Sequence, residues 1–217
     1  MSPAGFVRAH TRLTQVPLVP EIRLHLADDP FSVWERTEQE LGAVSLPPPF
    51  WAFAWAGGQA LARYLLDHAE AVRGLSVLDV GAGSGLVAIA AALAGARLVT
   101  ARDVDVFAAA AIGLNARANG VTIRAERGGL TGGERPGAEV IVAGDVCYER
   151  SMTSQMMRFL YRASQAGRVV LIGDPDRAYL PRTRLEPLAS YDVPVPRALE
   201  DADRKRVTVW RPAVPAS

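Results

Sequence analysis

The chain has 217 residues, 49% of them hydrophobic and 22% charged, with a formal net charge of +1. That is the composition of a globular protein with one good core, short for two independent domains. The near-neutral balance argues against a binder that works by neutralising phosphates, and a single cysteine, Cys147, excludes an internal disulfide.

The first residues, Met1-Ser2-Pro3, carry no basic-then-apolar leader pattern. Nowhere does an apolar run approach the ~20 residues of a membrane span, and we read a cytoplasmic protein. Residues 1–50 are mixed and broken by proline, ending in Pro47-Pro48-Pro49, and read as an N-terminal extension packed on a core spanning 51–217. Within the extension, Phe31 to Leu41 predict a short helix, with Trp34 as a packing anchor. Gly57-Gly58 precede a helical stretch with Leu61 and Leu65 on one face. Ser76 to Val80 is the first strand, ending at Gly81. Ser84 is the expected cap of the next helix, whose Val87, Ile89, Ala90 and Leu93 leave it apolar nearly all round, as in a deeply buried helix.

Leu98 to Ala101 predicts a second strand. Asp105 is placed to cap a helix carrying Phe107, Ala111, Leu114 and Ala118, which Gly120 stops. Val121 to Ala125 reads as a third strand and Glu139 to Ala143 as a fourth. Met156, Phe159, Leu160 and Ala163 form a helical stripe, and Arg168 to Ile172 a fifth strand. This alternation predicts βαβ units around a parallel sheet covered on both faces. Tyr191 to Val195 and Arg206 to Trp210 are β-prone with no good helix between them, and are expected to close the sheet as an antiparallel pair.

The densest signal is Val77-Leu78-Asp79-Val80-Gly81-Ala82-Gly83-Ser84-Gly85, a strand, a glycine turn and a helix. Glycines there let main chain approach a ligand at the carboxyl end of a parallel strand. Dinucleotide binders want a small residue at the third fingerprint position, and Leu86 stands there instead. The spacing fits S-adenosylmethionine, whose binders place an acid, here Asp79, two residues before G-x-G-x-G. Asp103 follows the second strand and is expected to hold the ribose hydroxyls, with Val104 beside it in the cofactor pocket. The plain alternative is a tight turn with Asp103 and Asp105 as helix caps.

At the end of the fourth strand stands Gly144-Asp145-Val146-Cys147-Tyr148. Methyl transfer is an in-line displacement, so the protein must align the nucleophile and exclude water. Asp145 is suited to receive and orient an amine, and Tyr148 to bond that amine or wall its channel. Cys147 has no partner His in its motif and reads as packing. The Asn-Pro-Pro-aromatic loop that serves planar amides and base amines is absent. The three histidines, His10, His25 and His68, lie far apart, which gives no metal site.

These residues resemble the electron transfer flavoprotein beta-subunit lysine methyltransferases. The likeness runs through Trp34-Glu35-Arg36, Trp55-Ala56-Gly57-Gly58-Gln59, Asp79 to Gly85, Asp103-Val104-Asp105, Gly144 to Tyr148, Gly173-Asp174-Pro175-Asp176-Arg177 and Thr208-Val209-Trp210. It implies a Rossmann-like class I methyltransferase: an α/β fold with a mostly parallel seven-stranded sheet and an antiparallel C-terminal strand. It implies methylation of lysines of that flavoprotein subunit; separately, we expect a monomer, with no nucleic acid and no membrane involved. Trp55 and Gly58 would join Gly81, Gly83, Gly85 and Asp103 around S-adenosylmethionine, and Asp145 and Tyr148 would match the family's Asp-x-x-Tyr motif. Two residues depart from the family's habit: Ala56 stands where proline is common, and Cys147 where phenylalanine is. Ribosomal protein L11-type lysine methylation is the nearest alternative, with a nicotinamide-dependent reductase and a non-enzymatic binding module behind it.

Overall fold

A computed structural model describes residues 1–29, 33, 48–129, 137–196 and 202–213. The helix expected over Phe31 to Leu41, with Trp34, lies outside the described residues except for Val33, which is helical and buried.

Seven strands form one sheet in the order β5-β4-β3-β6-β7-β9-β8: β3 (Ser76–Val80), β4 (Leu98–Asp103), β5 (Arg124–Arg127), β6 (Val140–Gly144), β7 (Val169–Asp174), β8 (Leu185–Pro194) and β9 (Arg204–Pro212). Pairings from β5 through β7 are parallel, and β9 runs antiparallel to both β7 and β8. The central strands are apolar on both sides because both faces are covered. Val77, Val140 and Leu171 pack with α2 (Ala56–Asp67) and α3 (Leu86–Leu93) on one face. Leu78, Ile141 and Ile172 pack with α5 (Arg150–Gln165) on the other. Each fully buried side chain of this size stabilises the fold by roughly 1.5–3 kcal/mol.

The N-terminal segment, read as an extension packed on the core with one helix at Phe31 to Leu41, also carries a helix and a hairpin that the sequence reading does not name. Ser2 caps α1 (Pro3–His10) by accepting from Gly5 N at 3.1 Å. Phe6 of α1 packs on Phe107 of α4 (Val106–Ala118), ring centroids 5.1 Å apart. Strands β1 (Arg12–Val16) and β2 (Val19–Leu26) form a separate antiparallel hairpin. Its β2 edge is tied to α4 by side-chain amides: Asn115 Oδ1 accepts from His25 N at 2.7 Å, and Asn119 Oδ1 from Arg23 N at 2.9 Å. Gln59 of α2 anchors the hairpin turn, accepting from Leu18 N at 3.2 Å.

The third strand of the sequence reading, Val121 to Ala125, is displaced: β5 begins at Arg124 and pairs with the end of β4 through Arg127. Val121 and Ile123 pack on the core from the loop before it. Among the described residues, no helix is long and apolar enough to cross a membrane.

Candidate active site

The glycine turn begins where β3 ends. Gly81, Gly83 and Gly85 have φ of 66°, 50° and 81°, a left-handed backbone that side chains strain. Gly81 N and Ala82 N both donate to Arg102 O, at 3.0 and 3.1 Å, so the turn hangs from the end of β4. The expected Ser84 cap is absent, because left-handed Gly85 is the residue that enters α3. Asp79 does the capping from a distance: its Oδ2 accepts from Ala88 N at 3.0 Å. Burial pushes the Asp79 carboxyl up to about 7, against the lowering pull of that N–H.

Asp103 stands at the tip of β4. Its Oδ2 accepts from Gly83 N at 2.8 Å and its Oδ1 from Asp105 N at 3.0 Å. Both oxygens keep a further lone-pair direction for a ligand. Asp105 caps α4 as the sequence suggests, accepting from Phe107 N at 2.8 Å. Val104, 65% exposed, sits at the rim.

The reaction side is built where α2 crosses the ends of β6 and β7 almost in backbone contact. A Cβ on Gly144 would lie 2.9 Å from Gly58 Cα, and one on Gly173 would lie 2.9 Å from Leu61 Cβ. A Cβ on Gly57 would stand 2.6 Å from Asp145 Oδ2. Only glycine permits this approach, and it delivers the first turn of α2 to Asp145. Gly58 N donates to Asp145 Oδ2 at 2.8 Å. On the other side Arg177 donates to Asp145 Oδ1 through Nη2 at 2.8 Å and Nε at 3.3 Å. Asp145 is buried, its backbone is left-handed at φ 56°, and its N–H donates to Gly173 O at 2.9 Å.

Arg177 in turn is seated by Asp174, whose Oδ1 accepts from Arg177 N at 2.7 Å. Asp174 Oδ2 is buried with no hydrogen-bond partner among the described residues. Burial pushes its carboxyl up to about 7, helped by the nearby charge of Asp145. The Arg177 guanidinium lies 5.8 Å from the Trp55 ring centroid. Trp55 is fixed by its own Nε1–H, which donates to Phe50 O at 2.8 Å. Phe50 lies 5.7 Å from the Trp55 ring and 5.1 Å from the Tyr148 ring. Tyr148 is 44% exposed, at the mouth. Burial raises its phenol above the ordinary value, with the Asp103 charge adding to the shift. Cys147 is sealed beneath, its thiol pushed up to about 12 by burial, so it is no nucleophile.

A cavity of about 440 Å³ joins the two halves. Asp79, Gly81, Gly83, Asp103 and Val104 line one end, and Trp55, Gly58, Asp145 and Tyr148 the other. Gly85 is not in the wall; it stands behind, where a Cβ would lie 3.1 Å from Ile112. At Gly81 and Gly83 the main chain itself lines the cavity, with no side chain to fill the space a nucleoside would take, and the Asp103 carboxylate stands beside it. The residues therefore fit such a group. Sequence reasoning assigned no role to Phe50, Arg177 or Asp174. The signal for the last two is the Gly173-Asp174-Pro175-Asp176-Arg177 stretch, which carries the family likeness but has no chemistry visible in its spacing.

The sequence model of the ribosomal protein L11 methyltransferase (PrmA) family matches residues 59–146. The electron transfer flavoprotein beta subunit lysine methyltransferase of Xenopus laevis is 40% identical over 216 residues, covering 96% of this chain and 86% of that protein. The Homo sapiens protein of the same name is 34% identical over 219 residues, covering 95% and 80%. Among solved structures, the ribosomal protein L11 methylase of Lactobacillus delbrueckii subsp. bulgaricus aligns with a TM-score of 0.52 and 21% identity, over 75% of this chain and 81% of that one. That likeness speaks to the fold, a class I methyltransferase sheet. On the extent and identity of the sequence matches, the chain belongs to the electron transfer flavoprotein beta subunit lysine methyltransferase family.

Proposed function

We propose that this protein transfers methyl groups from S-adenosylmethionine to lysine side chains of the electron transfer flavoprotein beta subunit. One observation carries the reading: in a chain of this family, a single cavity runs from the glycine turn and Asp103 to Asp145 and Tyr148. When bound, S-adenosylmethionine supplies an electrophilic methyl carbon on a sulfonium. Asp103 and the backbone of Gly81 and Gly83 would hold its nucleoside, with Asp79 beneath the turn. Phe50 and Trp55 line the cavity with aromatic surface and would help keep water from the reacting atoms.

Asp145 already accepts one backbone and two guanidinium N–H groups. Its carboxylate lines the cavity and would orient an incoming amine. Tyr148 lines the cavity at its mouth, and its hydroxyl would bond the same nitrogen or wall its path. Positioning of this kind is the main service an enzyme gives a displacement at carbon.

The direct test is incubation with methyl-labelled S-adenosylmethionine and the purified flavoprotein subunit, followed by mass spectrometry of its lysines. Absence of transfer, with cofactor binding confirmed by calorimetry, refutes the substrate assignment. Ribosomal protein L11 is the comparison substrate. The L11 methyltransferase of Methylococcus capsulatus matches only 52% of this chain, at 38% identity. The same reading has the protein acting as a cytoplasmic monomer, and a dimer mass in sedimentation overturns that part.

A further inference from the structure

A carboxylate beside an amine has a chemical drawback. It favours the ammonium form, and an ammonium has no lone pair with which to attack. Lysine begins with a pKa of about 10.4, so a lone Asp145 would deepen the difficulty it is meant to solve. Asp145 is not alone. Arg177 holds its Oδ1 through two N–H groups, with the two side chains only 20% and 8% exposed. The carboxylate is therefore charge-matched from inside the protein before any substrate arrives.

The neighbouring titratable groups do not undo this balance. Asp174, on β7, is pushed toward its neutral form by burial and by the nearby charge of Asp145. Cys147 stays a thiol. Arg182 is paired with Asp176. Glu149 is turned into the first turn of α5, accepting from Ser151 N and Met152 N at 2.8 and 2.9 Å. Asp103 lies toward the glycine turn, held by Gly83 and Asp105. Tyr148 is a neutral phenol.

We propose that Arg177 is a positioning residue for methyl transfer, neutralising and orienting Asp145 so that the target lysine is received as the free amine rather than as the ammonium. This rests on the proposed function. The lysine ammonium gives its proton to solvent on entry. Its lone pair forms the new N–C bond as the C–S bond breaks, and the electron pair of that bond stays on sulfur as a neutral thioether. The methylated product leaves as the ammonium, and a further methyl transfer to it would first need another proton lost to water. Arg177 exchanges nothing; its charge sets which form of the amine is favoured.

The test compares wild type, Arg177→Lys and Arg177→Gln in kcat at saturating flavoprotein subunit from about pH 6 to about pH 10, the profile that reports groups in the enzyme–substrate complex. Arg177→Gln is expected to move the acid limb upward by about one pH unit or more, so that its deficit shrinks as pH rises. Arg177→Lys keeps the charge and should keep the wild-type limb. An unchanged limb in Arg177→Gln, or a loss that is uniform across pH, overturns the proposal. A second arm needs no protein substrate: butylamine, a lysine side-chain analogue, titrated into each protein loaded with S-adenosylhomocysteine. Wild type should bind it more tightly as pH rises, and Arg177→Gln should lose or reverse that preference. The same pH trend in both proteins overturns the proposal. Failure of wild type to methylate the subunit strikes the proposed function alone, because the butylamine arm still decides the part played by Arg177.

Discussion

Gly144→Ala adds one methyl group where β6 passes under α2, and the structure fixes what it meets. The new Cβ would stand 2.9 Å from Gly58 Cα and 3.0 Å from Gly58 N. Comfortable carbon contacts begin near ~3.5 Å, so the two backbones must part by about half an ångström. Gly58 N sits 2.8 Å from Asp145 Oδ2, and the same shift carries that bond toward ~3.3 Å, past the ordinary range. Overpacking of this kind costs about 1–3 kcal/mol. In a chain of this size, each kcal/mol lowers Tm by about 2–4 °C. Gly113→Ala makes the same chemical change inside α4, where a Cβ meets nothing within 4 Å. There the helix gains up to about 1 kcal/mol from the better propensity of alanine. Urea unfolding of the two variants should give midpoints on opposite sides of wild type, with turnover lost only in Gly144→Ala. If Gly144→Ala unfolds at the wild-type midpoint and keeps full turnover, the account of the crossing is wrong.

Three further outcomes follow from the site and its supports. Asp103→Ala should weaken S-adenosylhomocysteine binding by about 10- to 100-fold in calorimetry, the worth of charge-assisted hydrogen bonds; unchanged affinity removes Asp103 from the pocket. Asn115→Ala leaves His25 N and Ser84 O without their 2.7 and 2.9 Å partners, and should cost about 2–3 kcal/mol in urea unfolding. The folded-state pKa of Asp174, about 7, stands above the unfolded value of 3.8, so the folded state binds the extra proton between them. Stability should therefore fall as pH climbs through that window, by at most ~4 kcal/mol for this group, and level off above it. Asp174→Asn cannot titrate and should show a shallower fall between about pH 5 and about pH 7.5; an equal slope assigns the pH dependence elsewhere.

What the sequence makes legible here is what is written locally. β3, β6 and β7 are short apolar runs bounded by glycine, and each lies within two residues of its expected place. Asp79, the three turn glycines and Asp103 are spaced along one βαβ unit, so their shared geometry follows from the pattern. The β1–β2 hairpin is hidden, because the β1 side chains are mostly exposed and its edge is held by Asn115 and Asn119, 90 and 96 residues away. β5 is misplaced because Val121 and Ile123 look like a strand yet pack from a loop, while the charged residues after them do the pairing. Asp145 is visible as a residue but not as a pair. Its partners Gly58 and Arg177 lie 87 and 32 positions away, and the contact exists only because α2 can approach the sheet through glycine.

The sealed thiol of Cys147 gives the chain a built-in reporter. With no other cysteine in the sequence, a maleimide or disulfide reagent has nothing to attack on the folded surface. The labelling rate then measures how often the loop beside the cavity springs open, and a ligand that braces the loop should slow that rate in proportion. Cysteines introduced on the surface for fluorescent dyes or crosslinkers could likewise be modified selectively without first removing the native one.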